Sequence, residues 1–420
     1  MDIQIIPRPL SGTVSVQSSK SELQRMIICA ASADAPTRIG YKGGALSEDV
    51  LATVRCVAAL GADIEVEDKT ITVSPVSGFR HSAVLDCGQS AATLRFMLPV
   101  AACLCEDVTF AGGGSLARRP VADLLEALKK NGLEIESDRI PVRTRGLLRG
   151  GRFSVSGNIS SQYLSGLLLA SPLMKGGAEI ELTTGLVSSG YVMMTRSVMN
   201  LFGAQVSYNG TFSCHAQGYR SPGAIQAGGD WSGAAALIAS AACGSGCDIV
   251  LEGLDAGSEQ KDREVTAILG AAGADIRYKG FGVRIISSSM RAFDADLSDM
   301  PDLFPVLACA SVGACGTSRF YGCERLRVKE SDRIESVSKA LGAFGYEISD
   351  GGGCFSVIRN GSAPIGVVDP SGDHRVVMAA VVASYASGIP VTIRNCECVS
   401  KSYPGFFECL RELGGEADVL

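Results

Sequence analysis

No two cysteines are spaced C-x-x-C, and the chain holds only three histidines, although it has fifteen cysteines. Structural zinc needs closely paired thiolates or imidazoles. The close pairs here, Cys103/Cys105, Cys243/Cys247 and Cys396/Cys398, have other spacings. An odd number of thiols without a framework reads as small buried side chains in a reducing compartment, so no metal is expected. Long apolar runs are missing too. A stretch such as LFPVLACASVGAC (303–315) is broken by Pro, Ser and Gly, and no membrane span is expected. The start, MDIQIIPRPL, lacks the basic end and apolar centre of a signal peptide. There is no basic tail or arginine-rich run, and the net charge is −6. These absences argue against nucleic acid as a partner and point to a cytoplasmic protein. Any anionic ligand must be held by local cations working against the overall charge.

Hydrophobic residues, in contrast, make up 46% of the 420, and the mean hydropathy is +0.22. That composition requires extensive burial, and that length exceeds one ordinary core, so two or more domains are expected.

The chain repeats itself. LGADIEV (60), NGLEIES (131), FGAQVSY (202), AGADIRY (272), FGYEISD (344) and LGGEADV (413) each place a glycine after a helical pattern and before a strand-like one. The glycines, 61, 132, 203, 273, 345 and 414, are 69 to 72 residues apart. Glycine in that place is a helix stop. A second series interleaves: Ala- and Leu-rich helices beginning near 20, 89, 161, 230, 302 and 373, again 69 to 72 residues apart. A helix apolar nearly all round is a buried helix. Six copies of about 70 residues pack most economically as two domains of three. The three buried helices of a domain would then run side by side, with their polar first turns on one surface. Asp230 there reads as an N-cap. Lys20, Arg25, Arg95 and Arg375 do not, because a cation at a helix N-terminus opposes the dipole and needs a negative partner. Two such surfaces facing each other would make a cleft for a multiply anionic ligand.

One stretch breaks the apolar style. In ERLRVKESDRIES (324–336), eight of thirteen residues are charged, of both signs. The plain reading is a solvated helix face held by i,i+4 pairs. As a helix it would set Lys329 and Arg333 on one face.

Several motifs together give this chain a resemblance. They are SKSELQR (19–25), DCGQSAATLR (86–95), SLARRP (115–120), SSQY (160–163), LVSSGY (186–191), GDWSGAA (229–235), MPD (300–302), RVKESDR (327–333), DHR (373–375) and SKSYPGFF (400–407). In this order, end to end, they resemble the 5-enolpyruvylshikimate-3-phosphate synthases of the shikimate pathway. RVKESDR with SSQ is the most specific combination.

The resemblance implies an α/β protein of two domains, each of three βαβαββ repeats with buried parallel helices, the enolpyruvyl transferase fold. The domains would be 19–228 and a discontinuous 1–18 plus 229–420, with the active site in the cleft. It implies transfer of the enolpyruvyl group of phosphoenolpyruvate to the 5-hydroxyl of shikimate 3-phosphate, with release of phosphate. It also implies a monomer with open and closed forms, and no metal or organic cofactor.

Carried over by motif, Ser21, Arg25, Ser160, Ser161, Ser188, Tyr191, Asp302 and Lys329 would hold shikimate 3-phosphate. Lys20, Ala91, Arg119, Gln162, Arg333, Arg375 and Lys401 would hold phosphoenolpyruvate. Asp302 would take the hydroxyl proton, and Glu330, with Lys20 or His374, would serve the carbon. Arg325 and Asp332 would be left as solvated pairs.

FAGGGSLARRP has glycines but no Gly-Lys-Ser/Thr ending, and reads as a turn before a helix carrying Arg119. Trp231 reads as core, and His81 and His215 as surface. The related transferase that acts on UDP-N-acetylglucosamine uses a loop cysteine ahead of the Arg119 position. Cys103 and Cys105 lie too early for that, inside an apolar run. A non-catalytic relative would have lost acid–base groups, yet Asp302, Glu330 and His374 are present. One departure is Ala91, where the family usually has glycine. Its methyl would crowd the herbicide glyphosate, which is longer than phosphoenolpyruvate, and make the enzyme insensitive.

Overall fold

The computed structural model describes residues 1 to 420. The repeats emerge as six four-stranded sheets. In every sheet one strand pair is parallel and the others are antiparallel. Twelve helices accompany them: α1 Lys20–Ala31, α2 Glu48–Ala59, α3 Ala91–Leu104, α4 Ala122–Lys130, α5 Ser161–Ala170, α6 Ser189–Leu201, α7 Trp231–Cys243, α8 Val265–Ala271, α9 Phe304–Ala310, α10 Arg333–Gly342, α11 His374–Ser387 and α12 Phe406–Glu412. The arrangement is α/β, as the repeat reading anticipates.

The chain divides into two compact units. One comprises Lys20–Tyr41 and Leu46–Ala227 and holds three sheets and α1 to α6. Its first sheet is completed by the unit's last strand, Ala224–Gln226, lying parallel to Thr37–Gly40. The other comprises Met1–Ser19, Lys42–Ala45 and Gly228–Leu420 and holds the remaining sheets and α7 to α12. Here Ser11–Ser15 runs parallel to Asp248–Glu252, and Ile3–Ile6 pairs with both Val391–Ile393 and Glu416–Val419. The chain's first strands thus complete sheets built by its second half.

Helices of the two series differ as their composition requires. In α7 every residue from Trp231 to Ala242 is buried, and in α11 every residue from His374 to Tyr385. Helices α4 and α10 bury one face and expose the other. All six repeat glycines take positive φ, between 76° and 115°, a backbone that side-chain-bearing residues rarely adopt. That is why the helix stop recurs as glycine.

Candidate active site

In the first unit, the first turns of the buried helices are tied together by side chains. Ser90 caps α3 by accepting from Thr93 N, and Ser160 caps α5 by accepting from Gln162 N. Arg95 reaches from α3 to α5, donating to Gln162 Oε1 at 2.7 Å, Ser160 Oγ at 3.4 Å and Pro120 O at 2.5 Å. Arg25, on α1, is buried over the Phe96 ring. It donates to Thr195 Oγ1 at 2.7 Å, Ser21 O at 2.6 Å and Tyr191 O at 3.3 Å. Burial brings its guanidinium down to about 10, and it stays charged. Lys20 Nζ lies 3.0 Å from Asp49 Oδ2. Ser188, ahead of α6, has φ +53°, a strained conformation that tends to persist at binding sites.

In the second unit, α7, α9 and α11 pack on one another, and their first turns meet in an ion cluster. Asp302, in the 3-10 turn leading into α9, faces three cations. Its Oδ1 is 2.6 Å from Arg333 Nη1 and 3.5 Å from Lys329 Nζ, and its Oδ2 is 3.1 Å from Arg375 Nη2. Burial raises the Asp302 carboxyl, but Arg375, Lys329 and Arg333 outweigh it and hold the group well below the usual range. Arg333 also reaches Glu330 at 2.8 Å and Asp373 at 3.0 Å. Burial works against its charge, but Asp373, Asp302 and Glu330 more than offset it and keep the guanidinium fully protonated. Asp373 caps α11 by accepting from Arg375 N at 2.9 Å. His374, at the start of α11, is buried beside it. Lys401, itself buried, ends a 3-10 turn that packs against α11. Bidentate, rigid donors clustered in this way suit phosphate and carboxylate.

The profile of the EPSP synthase (3-phosphoshikimate 1-carboxyvinyltransferase) family matches residues 5–410. The chain belongs to the EPSP synthase family. Among its relatives, the 3-phosphoshikimate 1-carboxyvinyltransferase of Methanocorpusculum labreanum is 37% identical over 419 residues, 97% of either chain. That of Clostridium kluyveri is 34% identical over 421 residues, 99% of this chain and 98% of the relative. A solved EPSP synthase from Acinetobacter baumannii superimposes with a TM-score of 0.78 at 25% identity, covering all of both chains.

Measured against this EPSP synthase family member's sequence, the structure brings Asp302, Lys329, Glu330, Arg333 and Arg375 into one cluster, with His374 next to Asp373. The other unit holds Lys20, Ser21, Arg25, Ala91, Arg119, Ser160, Ser161, Gln162, Ser188 and Tyr191. Three expectations need correction. Lys329 and Arg333 do not share a helix. A 3-10 turn ends at Val328, Lys329 is extended, and α10 starts only at Arg333. The cause is Asp332, whose carboxylate accepts from Ile334 N and Glu335 N and fixes the helix start there. Arg119 is not carried by a helix either; it follows the 3-10 turn Gly114–Arg118, three residues before α4 begins. Arg325 is not a solvated ion: it is largely buried and donates to Ser298 O at 2.5 Å. The solvated pair is Arg327 with Asp332, at 3.1 Å.

Trp231 is fully buried, donating from Nε1 to Asp255 O, while His81 and His215 are exposed. Sequence reasoning missed Asp49, Thr195 and Asp373 as partners of Lys20, Arg25 and Arg333. Only Asp373 carried a signal, as the acid opening DHR.

Proposed function

We propose that this enzyme transfers the enolpyruvyl group of phosphoenolpyruvate to the 5-hydroxyl of shikimate 3-phosphate and releases phosphate. The observation that carries the reading is the Asp302 cluster, in which three cations face one carboxylate in a chain of this family. The substrates bring two phosphates and two carboxylates, whose mutual repulsion must be neutralised. Lys329, with Ser21, Arg25, Ser160, Ser161, Ser188 and Tyr191, would serve shikimate 3-phosphate. Arg333 and Arg375, with Lys20, Ala91, Arg119, Gln162 and Lys401, would serve phosphoenolpyruvate. Residues of both units would thus act on one pair of substrates.

Addition puts a proton on the methylene carbon while the hydroxyl oxygen bonds to the neighbouring carbon. Elimination then removes a proton from the new methyl as phosphate leaves. Asp302 would accept the hydroxyl proton. While three cations face it, it is a firm hydrogen-bond acceptor but a weak base. Substrate anions that engage those cations would restore its basicity. Glu330 would serve the carbon, with Lys20 or His374. Incubating the purified protein with both substrates should release phosphate, and omitting either substrate should abolish the release. Absence of release with both present would overturn the reading.

A further inference from the structure

Gln24 has no part in that scheme, yet its side chain joins the N-terminal halves of three helices. It lies on α1 and is 1% exposed. Its amide nitrogen is 3.1 Å from the Asp49 carbonyl oxygen and 3.1 Å from Thr53 Oγ1, both on α2. The same nitrogen is 3.3 Å from Ser90 Oγ and 3.0 Å from Thr93 Oγ1, at the start of α3. A carbonyl oxygen only accepts, so the amide must turn its nitrogen, not its oxygen, to Asp49. Two amide hydrogens cannot serve four oxygens, and the hydroxyls complete the network. The Thr53 and Thr93 hydroxyls are 2.8 Å apart, and Thr93 Oγ1 is 2.9 Å from Ser90 Oγ. Both threonines also reach Asp49 O, at 3.2 and 3.3 Å. Thr53, Ser90 and Thr93 are as deeply buried as Gln24.

We infer that Gln24 is a positioning residue for phosphoenolpyruvate, holding Lys20 and Ala91 in register with each other. The inference rests on the function proposed above. Lys20 depends on Gln24 through Asp49. The carbonyl of Asp49 joins the Gln24 network while its carboxylate lies 3.0 Å from Lys20 Nζ. The start of α2 therefore cannot shift without moving the anion that Lys20 meets. Ala91 depends on Gln24 through Ser90, its neighbour and the cap of α3. Arg25, assigned to shikimate 3-phosphate, has separate anchors on α6, Thr195 Oγ1 and Tyr191 O. A buried polar network is rigid only when its members are satisfied. Without the amide, Asp49 O and the two threonine oxygens are short of a donor, and α2 and α3 lose their register with α1.

The test compares wild type, Gln24→Met and Thr93→Val. Methionine keeps the length of glutamine without its donor, and adapts to irregular space. Valine keeps the branching of threonine without the hydroxyl. KM for each substrate and kcat are measured with the other substrate saturating. In Gln24→Met the KM for phosphoenolpyruvate should rise about tenfold, as for a buried donor lost, while that for shikimate 3-phosphate stays within about twofold. Thr93→Val should show the same split at about threefold, and decides alone if Gln24→Met does not fold. A purely structural role would lower the melting temperature and the fraction of active enzyme, hence kcat, but leave both KM values alone. Equal changes in the two KM values, or a change in neither, overturn the inference. A second measurement needs no turnover: acetylation of Lys20 by N-acetoxysuccinimide, followed by mass spectrometry. With Asp49 no longer held in place, Lys20 should acetylate about threefold faster in both variants. If the wild type turns over nothing, the proposed function fails, and the labelling still decides about Gln24. An unchanged labelling rate overturns the inference.

Discussion

Ala91 is the first residue of α3, directly after the Ser90 cap, and is 6% exposed. At a helix start that faces a ligand, one extra methyl costs a longer molecule more than a shorter one, on the order of 1–3 kcal/mol. We propose that this crowding makes the enzyme insensitive to glyphosate while phosphoenolpyruvate still binds. Ala91→Gly should lower the glyphosate inhibition constant about tenfold relative to the KM for phosphoenolpyruvate. Tight inhibition of the natural enzyme would refute this. Lys329 and Arg325 make a second contrast, both charged and four residues apart. Lys329 touches Asp302, whereas Arg325 is spent on the Ser298 carbonyl. Lys329→Met should lose turnover at least a hundredfold, as befits about 3 kcal/mol of lost charge pairing. Arg325→Ala should instead lower the melting temperature and leave more of the activity. Equal kinetic losses would contradict the division.

At the scale of elements, the starts of α10 and α11 are one structure. Asp373 caps α11 and pairs with Arg333, the first residue of α10, both almost wholly buried. Asp373→Ala removes a cap and leaves a buried cation short of a partner, at about 3–5 kcal/mol. The melting temperature should fall by roughly 10 °C, and a change under about 2 °C would show that the pair contributes little. Asp302 sets a pH dependence in the same place. Its carboxyl is depressed in the folded protein. The stability it contributes is therefore full above its unfolded value, about 3.9, and is lost as pH falls through the lower folded value. Asp302→Asn should make acid unfolding below pH 4 less steep. An unchanged slope would show that the cluster is not linked to unfolding.

For the whole molecule, a net charge of −6 opposes anionic substrates, so binding depends on concentrated local cations. Because residues of both units are proposed to serve shikimate 3-phosphate, Arg25→Ala and Lys329→Met should each weaken its protection against thermal unfolding. A ligand at a hundred times its Kd adds about 2.7 kcal/mol, and each variant should lose most of that. Protection that survives either substitution would confine the ligand to one unit.

How much was legible can be judged from particular residues. The six glycines and six apolar helices fixed the repeat, because helix stops and buried faces are local demands written at a regular period. The motif residues of the Asp302 cluster were also legible, since family motifs name them one by one. The helix through Lys329 was not, because charge spacing cannot tell a continuous helix from one that Asp332 restarts. The partners Asp49 and Thr195 lie 29 and 170 residues from Lys20 and Arg25. No local pattern marks them. The sequence by itself determined the repeat, the α/β class and the cations. Only the tertiary structure decided which carboxylate each cation meets, because ionic strength of attraction depends on distance and burial, and folding alone sets both.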